Sequence, residues 1–515
     1  TVNADSTITN NNQGIMQRIG SLTFADLGAN SPIFLYFSQN GITVTGTTTL
    51  GANSNIIGSS FGGANQSILE GQVVGGASGK LIKVGNGGLM FANGTNTFGT
   101  DGQVGLEVWA HTQNTATSLV ASTSLTGTPF GVGDINLLPG GMIRLADASN
   151  IANQKVFAAS DDFAFAGVSI GYNNNGTPLT QANLLSLLTG GAAADGKIQL
   201  LTSGSTRGII SLDNGVQYGA LDLGAMETAL NADGGAVERL WLGSSTSGAI
   251  NQYYFAPTLG ASTDGVYRLG GGGNQGTMQI VVSAFENVLT GSTSVQIGAT
   301  AGGNGYDNAS VINGNTNITL NTRNNFTGGL TSNRGTTLNI GNNFALGSGT
   351  LTVNHTSNTG ANIGQSAEGA VSGGGISLWN NVNLVGDFRT AGTNFVLRGN
   401  VNLAPSSAGG TRTIEATAEF AVRGIISGAA SNLIKAGASG LTLDGANTYT
   451  GTTTLTVGTL LVGADVLPGV NGVQAPQSIQ PVNLPVGPNV GRPDKGLGYK
   501  RDGMQISNDT RTIYA

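Results

Sequence analysis

The sequence predicts an all-β protein: a parallel β-helix, or solenoid, with an inserted mixed region and an extended Pro-rich C-terminal tail. Three observations predict it. The first is an internal repeat. Lys80-Leu81-Ile82-Lys83-Val84-Gly85-Asn86-Gly87-Gly88-Leu89-Met90-Phe91 aligns without gaps to Asn432-Leu433-Ile434-Lys435-Ala436-Gly437-Ala438-Ser439-Gly440-Leu441-Thr442-Leu443. Asn96-Thr97-Phe98 matches Asn447-Thr448-Tyr449, and Thr45-Gly46-Thr47-Thr48-Thr49-Leu50 is identical to Thr450–Leu455. A short unit of strands and Gly turns cannot bury its apolar face alone, so copies must stack. The second is composition. Gly supplies 85 of 515 residues and charged residues only 9%, against about 25% in an average protein. Stacked rungs disfavour like charges about 4.8 Å apart, whereas Asn and Thr can hydrogen-bond along such ladders. The third is periodicity: apolar residues alternate in runs of about 4–6, bounded by Gly, Asn and Asp.

Taken in order, residues 1–154 read as N-terminal coils. Val2, Ala4 and Ile8 share one parity, and Ile33-Phe34-Leu35-Tyr36-Phe37 is a continuous apolar run suited to a covered strand. Residues 155–290 break the rhythm and read as an insertion or side domain. Pro178–Leu188 follows Thr177, an N-cap with Pro at the first helical position, and Gly190-Gly191 stops it. Leu223, Met226, Glu227 and Leu230 have helical spacing, and Glu238, Arg239 and Trp241 supply large side chains beside them. Residues 291–463 return to the repeat. In 464–515, six of the twelve prolines lie between Pro468 and Pro493, which implies an extended, polyproline-like chain. Residues 492–515 carry five basic and three acidic side chains, net +2, on a chain of net −6. The end, Thr510–Tyr514, is strand-like.

Leu433-Ile434-Lys435-x-Gly437-x-x-Gly440-Leu441-Thr442-Leu443-x-Gly445-Ala446-Asn447-Thr448-Tyr449-Thr450-Gly451 closely resembles the autotransporter-associated β-strand repeat. The resemblance implies a right-handed parallel β-helix displayed outside a bacterium. The best copy covers about 33 residues and weaker copies about half the chain. An autotransporter ends in a membrane barrel; here the last residues are Pro-rich, which points to a barrel removed or to another export route. Thr1 in place of Met fits a cleaved export signal.

Composition and motifs exclude several classes. With no Cys, thiolate metal sites are excluded, and the separation of His111 from His355 argues against a His cluster. No apolar run is long enough for a transmembrane helix, and the mild acidity disfavours nucleic acid. Gly302-Gly303-Asn304-Gly305-Tyr306-Asp307 is a single calcium-nonapeptide copy, with Asp307 its weak metal candidate and Ala309 where a large apolar residue belongs. Gly271-x-Gly273-x-x-Gly276 has no βαβ context and reads as a turn. Asp161-Asp162 is an adjacent carboxylate pair, read as capping rather than as glycosidase chemistry. Trp109, Trp241, Trp379, Tyr253 and Tyr254 are stacking candidates for sugars or core fillers.

The expected function is therefore that of a non-enzymatic structural subunit with no cofactor. It would self-assemble head to tail into an extracellular filament, sheath or surface layer at the bacterial cell surface, with itself as principal partner. The expected subunit interface joins Val2 and Ile8 to tail residues Arg492, Lys500, Arg501, Ile506, Arg511, Ile513 and Tyr514. The final strand would add to a neighbour's sheet edge, and a basic tail would meet an acidic body. The alternative is a monomeric adhesin or passenger that binds a glycan or protein through 155–290; a polysaccharide-degrading β-helix enzyme is more remote. At about 20–25 residues per coil the body would hold some 14–16 coils over roughly 70 Å.

Overall fold

A computed structural model of the chain shows a parallel β-solenoid. It describes Thr1 to Val462 apart from a number of segments, the longest being 11–16, 60–66, 110–117, 160–165, 171–179, 189–197, 213–218, 231–238, 245–251, 271–277, 299–315, 356–361 and 366–374. Beyond Val462 it describes the strands Val482–Asn483, Met504–Ser507 and Thr512–Tyr514. Two compact units divide the chain. Unit 1 holds Thr1–Phe285 and Gly298–Ile318; unit 2 holds Glu286–Ile297 and Thr319–Ala515.

In unit 1 each coil lays one strand on each of two long faces. The first face runs Ser6–Asn10, Ile33–Gln39, Ser54–Ser59, Lys80–Val84, Val104–Trp109, Asp134–Leu137, Val156–Ala159 and Ile198–Leu201. The second includes Ile42–Val44, Ser67–Leu69, Gly88–Phe91, Gly141–Leu145, Gly167–Ile170, Thr206–Leu212 and Arg239–Ser244. A third, shorter face holds Leu22–Thr23, Thr48–Leu50 and Val73–Gly75. Pairing is parallel and in register, so residues of one parity form inward columns. Leu35, Ile57, Lys83, Val108, Leu137 and Ala158 are successive partners in one such column, and all are buried. Burying each aliphatic member contributes about 1.5–3 kcal/mol for a full side chain, which is what holds neighbouring coils together. Phe91, Phe98 and Phe130 fill a corner, with ring centroids 6.1 and 5.6 Å from Phe91.

Unit 2 is built the same way. Its faces carry Phe388–Ala391, Thr411–Glu415, Asn432–Ala436 and Thr453–Leu455; Ile376–Leu378, Phe395–Leu397, Phe420–Val422, Gly440–Leu443 and Thr459–Val462; and Leu351–Asn354, Val382–Leu384, Val401–Leu403 and Ile426–Ser427. Phe388 and Phe420 stack at 5.2 Å inside it. On its outer surface Asn402 donates to Asn383 of the preceding rung at 3.0 Å, an uncharged ladder where like charges would repel.

The Asn-x-aromatic triplets that begin at Asn96, Asn324 and Asn447 share one structural job. Asn96 Oδ1 accepts from the backbone N–H of Val73 at 2.7 Å, and Thr97 N donates to Val73 O at 2.9 Å. Asn447 and Thr448 hold Ile426 in the same manner, at 2.8 and 2.8 Å. Asn324 and Asn325 hold Leu289 at 3.1 and 3.3 Å. The side-chain amide stands in for a peptide group, so the chain can turn while the preceding coil keeps both backbone bonds satisfied. Two residues after each Asn, Phe98, Tyr449 and Phe326 drop into the core.

The identical hexapeptides do not occupy equivalent places. Thr48–Leu50 and Thr453–Leu455 are both three-residue strands with Leu buried. Thr48–Leu50 lies on the short third face, paired with Val73–Gly75, whereas Thr453–Leu455 pairs with Asn432–Ala436 on the face that carries the repeat lysine.

The mixed region 155–290 is not a separate side domain. Its strands pair with the coils before them: Val156–Ala159 with Asp134–Leu137, and Gly167–Ile170 with Gly141–Leu145. What changes is coil length. Gly167 pairs with Ile209, 209 − 167 = 42 residues on, whereas Val382 pairs with Val401, 401 − 382 = 19 residues on. The long coils carry helix α1 (Gln181–Leu188) and helix α2 (Leu223–Leu230). Thr177 and Pro178, the expected start of the first helix, lie outside the described residues. Asp222 caps α2 by accepting from Ala225 N at 3.0 Å, and Gln181 exchanges hydrogen bonds with the Asp222 backbone at 3.0 and 3.1 Å. Glu227, on the inner face of α2, is fully buried. It accepts from Leu240 N (2.8 Å), Thr263 N (3.0 Å) and Thr263 Oγ1 (2.9 Å), and Arg239 lies 3.5 Å away. That network fastens the helix to the coils.

Candidate functional site

The last coil of unit 2 is where the tail returns. Val482–Asn483 pairs in parallel with Thr453–Leu455. Met504–Ser507 adds antiparallel to Thr459–Val462, with Leu460 opposite Ile506, and Thr512–Tyr514 closes a hairpin on it, with Ile506 opposite Ile513 and Gln505 opposite Tyr514. Three expected interface residues, Ile506, Ile513 and Tyr514, are therefore brought together on a sheet edge. The edge they pair with belongs to their own chain rather than to a neighbour. Arg492, Lys500, Arg501 and Arg511 lie outside the described residues. In unit 1, Val2 is buried and bridged to Phe24, and Ile8 is half-buried opposite Phe37. Ser6–Asn10 pairs with Ile33–Gln39 on one side; among the described residues no strand pairs its other edge.

The repeat lysines point inward, and the reason is local. Lys83 Nζ donates to the carbonyls of Val84 (2.7 Å) and Gly85 (3.0 Å). Lys435 Nζ donates to those of Ala436 (2.8 Å), Gly437 (2.7 Å) and Val457 (3.0 Å). Gly85 and Gly437 have φ of 79° and 82°, the left-handed conformation that glycine adopts freely; at this turn their carbonyls face the ammonium. Burial pushes Lys83 down to about 7. It pushes Lys435 down to about 8, against the pull of Glu419 and Glu415. Both ammonium groups plug a turn, each bound to that turn's own carbonyls.

His355 is likewise internal. Its Nε2 lies 2.9 Å from Ser332 Oγ, which in turn lies 3.1 Å from Thr336 Oγ1. Burial pushes its imidazole down to about 4. The folded pKa thus sits below the unfolded value of about 6.5, so stability is fully present above pH 6.5 and is lost as pH falls through 4. Unit 2 is expected to lose about 3 kcal/mol from this group over that window. Urea titrations of wild type and His355→Leu at pH 7.5 and 4 check it: the variant should lose that much less between the two pH values.

A surface feature stands apart from these. After the inward residues Leu378, Leu397, Val422 and Leu443 of four in-register strands come Trp379, Arg398, Arg423 and Asp444. Trp379 is 65% exposed, and the Arg398 guanidinium lies over its ring at 5.1 Å. Arg398 Nε is held by Ser377 Oγ at 2.6 Å. Arg423 and Asp444 approach to 3.6 Å. On the preceding rung, Phe344 is 55% exposed with Arg323 over its ring at 5.8 Å. That rung adjoins, because Asn343 Oδ1 accepts from Ser377 N at 2.8 Å. Sequence reading singled out Trp379 but not its companions. The available signal was the recurring aliphatic-x-Asn/Gly pattern: Leu378-Trp379-Asn380, Leu397-Arg398-Gly399, Val422-Arg423-Gly424, Leu443-Asp444-Gly445.

The other stacking candidates divide. Trp241 is buried. Tyr254 is buried too, its hydroxyl accepting from Leu221 N (2.9 Å) and donating to Thr258 O (2.7 Å), and burial pushes its phenol up to about 12. Trp109 is partly exposed. The side chain of Tyr253, and His111, Asp161, Asp162, Asp307 and Gly271–Gly276, lie outside the described residues. Among the described residues no three His, Cys, Asp or Glu side chains cluster to hold a metal, and no helix is long and apolar enough to cross a membrane.

No family model matches this chain, and no curated protein or solved structure shows significant similarity to it. Fold and surface together define a parallel β-solenoid with a strand-capped terminal coil and one aromatic–arginine ledge.

Proposed function

We propose that this protein is an extracellular structural subunit that assembles through its solenoid edges, the C-terminal hairpin serving as the transferable strand. One observation carries the reading: the tail places Met504–Ser507 on the edge of Thr459–Val462. That contact uses backbone hydrogen bonds, which an identical edge on another copy offers equally. Twenty residues lie between Asn483 and Met504, a length of chain that can span up to about 60 Å when extended. Ser6–Asn10 ends the strand order of its own sheet and is the second surface proposed for assembly. A contact between unlike edges does not close on itself and propagates as an open filament. Export to a bacterial surface rests on the repeat resemblance.

Negative-stain microscopy and light scattering of the full chain, beside a chain lacking residues 464–515, test the proposal. Filaments from the full chain and at least a tenfold loss of assembled mass on truncation are expected. Monodisperse particles at high protein concentration would refute assembly, and unchanged filaments from the shorter chain would refute the role of the tail.

A further inference from the structure

We propose that the ledge of Phe344, Trp379, Arg398 and Arg423 in unit 2 is a binding site for a linear acidic polysaccharide, a chain of sugar carboxylates. Four observations converge on it. Trp379 presents most of its ring to solvent although the core of this protein is rich in buried aromatics. A single exposed aromatic is ordinary, but here two, Trp379 and Phe344, stand on adjoining rungs, each under an arginine. Arg398 covers one face of the indole and leaves the other open. A pyranose presents a face of C–H groups that an open indole accepts.

The guanidinium is held in place but not neutralised. Nε is committed to Ser377 Oγ, and the ring lies beneath it. Among the described residues its terminal N–H groups are directed to no carboxylate, which leaves the planar fork that suits a carboxylate ligand. Arg323 on Phe344 repeats the arrangement one rung away.

The spacing is axial. Rungs of a parallel β-structure repeat at about 4.8 Å, close to one sugar step along a polymer. Trp379, Arg398 and Arg423 stand on consecutive rungs, so aromatic and cationic contacts follow one another along the solenoid as sugars do along a chain. The outward neighbours Ser377, Val396, Ala421 and Thr442 are small or medium-sized and form the floor beside the ledge.

Charge selects the ligand class. Arg323, Arg398 and Arg423 against Asp444 give the ledge net +2, on a chain with 27 acidic and 21 basic residues. That suits one carboxylate per sugar or two. A phosphate backbone, with a charge on every unit, needs a denser cationic track than three arginines. The site lies on a lateral face and does not depend on assembly, so truncated and full chains should bind alike.

The test is a titration of the full chain with a hexameric oligogalacturonate, read by tryptophan fluorescence and calorimetry. Maltohexaose, a short oligothymidylate and Trp109→Ala serve as comparisons. Binding of the uronate is expected, at least tenfold weaker in Trp379→Ala and in Arg398→Gln, weaker at high salt, and unchanged in Trp109→Ala. Trp379 is solvent-facing and Arg398 half-buried, so thermal melts of both variants accompany the titration to separate lost binding from lost folding, and Arg398→Gln keeps the tryptophan as reporter. The proposal is overturned if millimolar uronate does not bind, if maltohexaose binds equally, if neither ledge variant weakens binding, or if the oligothymidylate binds more tightly.

Discussion

Gly424→Ala is expected to cost unit 2 about 3 kcal/mol or more, a large loss for one methyl group. Gly399, Gly424 and Gly445 follow Arg398, Arg423 and Asp444 at one corner of three consecutive coils. A Cβ on Gly399 would collide with the carbonyl oxygen of Asn380, one on Gly424 with that of Gly399, and one on Gly445 with that of Gly424. None of the three has a positive φ, so the requirement is space and not backbone conformation. The obstructing atoms are backbone, which cannot swing aside as a side chain does, so the two coils must part and give up ladder hydrogen bonds. Gly76→Ala is the control. It has open space around its Cβ position and no positive φ, so it should be neutral or stabilise by about 0.4–1 kcal/mol. Denaturant midpoints of the three proteins decide the matter; a Gly424→Ala midpoint equal to wild type would show that the corner yields.

The second large effect is a rise of stability with pH that belongs to Lys83. Its ammonium is held down to about 7 when folded and returns to about 10.5 when unfolded. Between these values the unfolded chain binds the proton that the folded chain has released. Stability must therefore increase with pH across that window, and the destabilisation is fully present below pH 7 and gone above pH 10.5. The increment is on the order of 5 kcal/mol, set by the distance between the folded and unfolded pKa values. Lys83→Met keeps the apolar stem in the inward column between Ile57 and Val108 and removes the titrating group. Its unfolding free energy should climb less than that of wild type from about pH 7 to 10, the remaining rise belonging to Lys435. Parallel pH curves for the two proteins would exclude Lys83 as the source.

Both effects lie within the repeat, and they differ in how far the sequence discloses them. Alternation from Leu81 already assigns Ile82 outward and Lys83 inward, and Leu433-Ile434-Lys435 repeats the pattern. A charge on the core face conflicts with ordinary burial rules. Only the folded turn resolves the conflict, because the carbonyls at Gly85 and Gly437 are presented to the ammonium. The Asn-x-aromatic triplets were visible as repeats, yet their bond to a residue 21 or 23 positions earlier was not, since it needs the preceding coil in place. Val2, Ile8, Ile506, Ile513 and Tyr514 were chosen as interface residues from their strand-like setting. Ile8, Ile506, Ile513 and Tyr514 lie in strands and Val2 in an isolated bridge, and each pairs within the chain.

The candidate ledge was half legible. Exposure of Trp379 does not follow from composition; it follows from the odd position it takes after the inward Leu378. That Arg398 and Arg423 stand beside it depends on coils whose lengths vary. Coil length also explains the reading of 155–290 as a side domain. Helices of eight residues appeared as a break in rhythm, although they are loops enlarged within coils that keep their strands in the common sheets.

What the sequence by itself determined is the local grammar: short strands of period two, glycine turns, asparagine corners and a nearly uncharged surface, hence a stacked parallel β-structure. These depend on interactions within a few residues and on the composition of every rung. The tertiary structure alone decided register between coils, and with it the different faces taken by two identical hexapeptides, the burial of the repeat lysines, the edge on which the tail strand pairs and the alignment of tryptophan with arginine. Register could not be read from the chain because successive partners lie anywhere from 19 to 42 residues apart, and no local signal measures that distance.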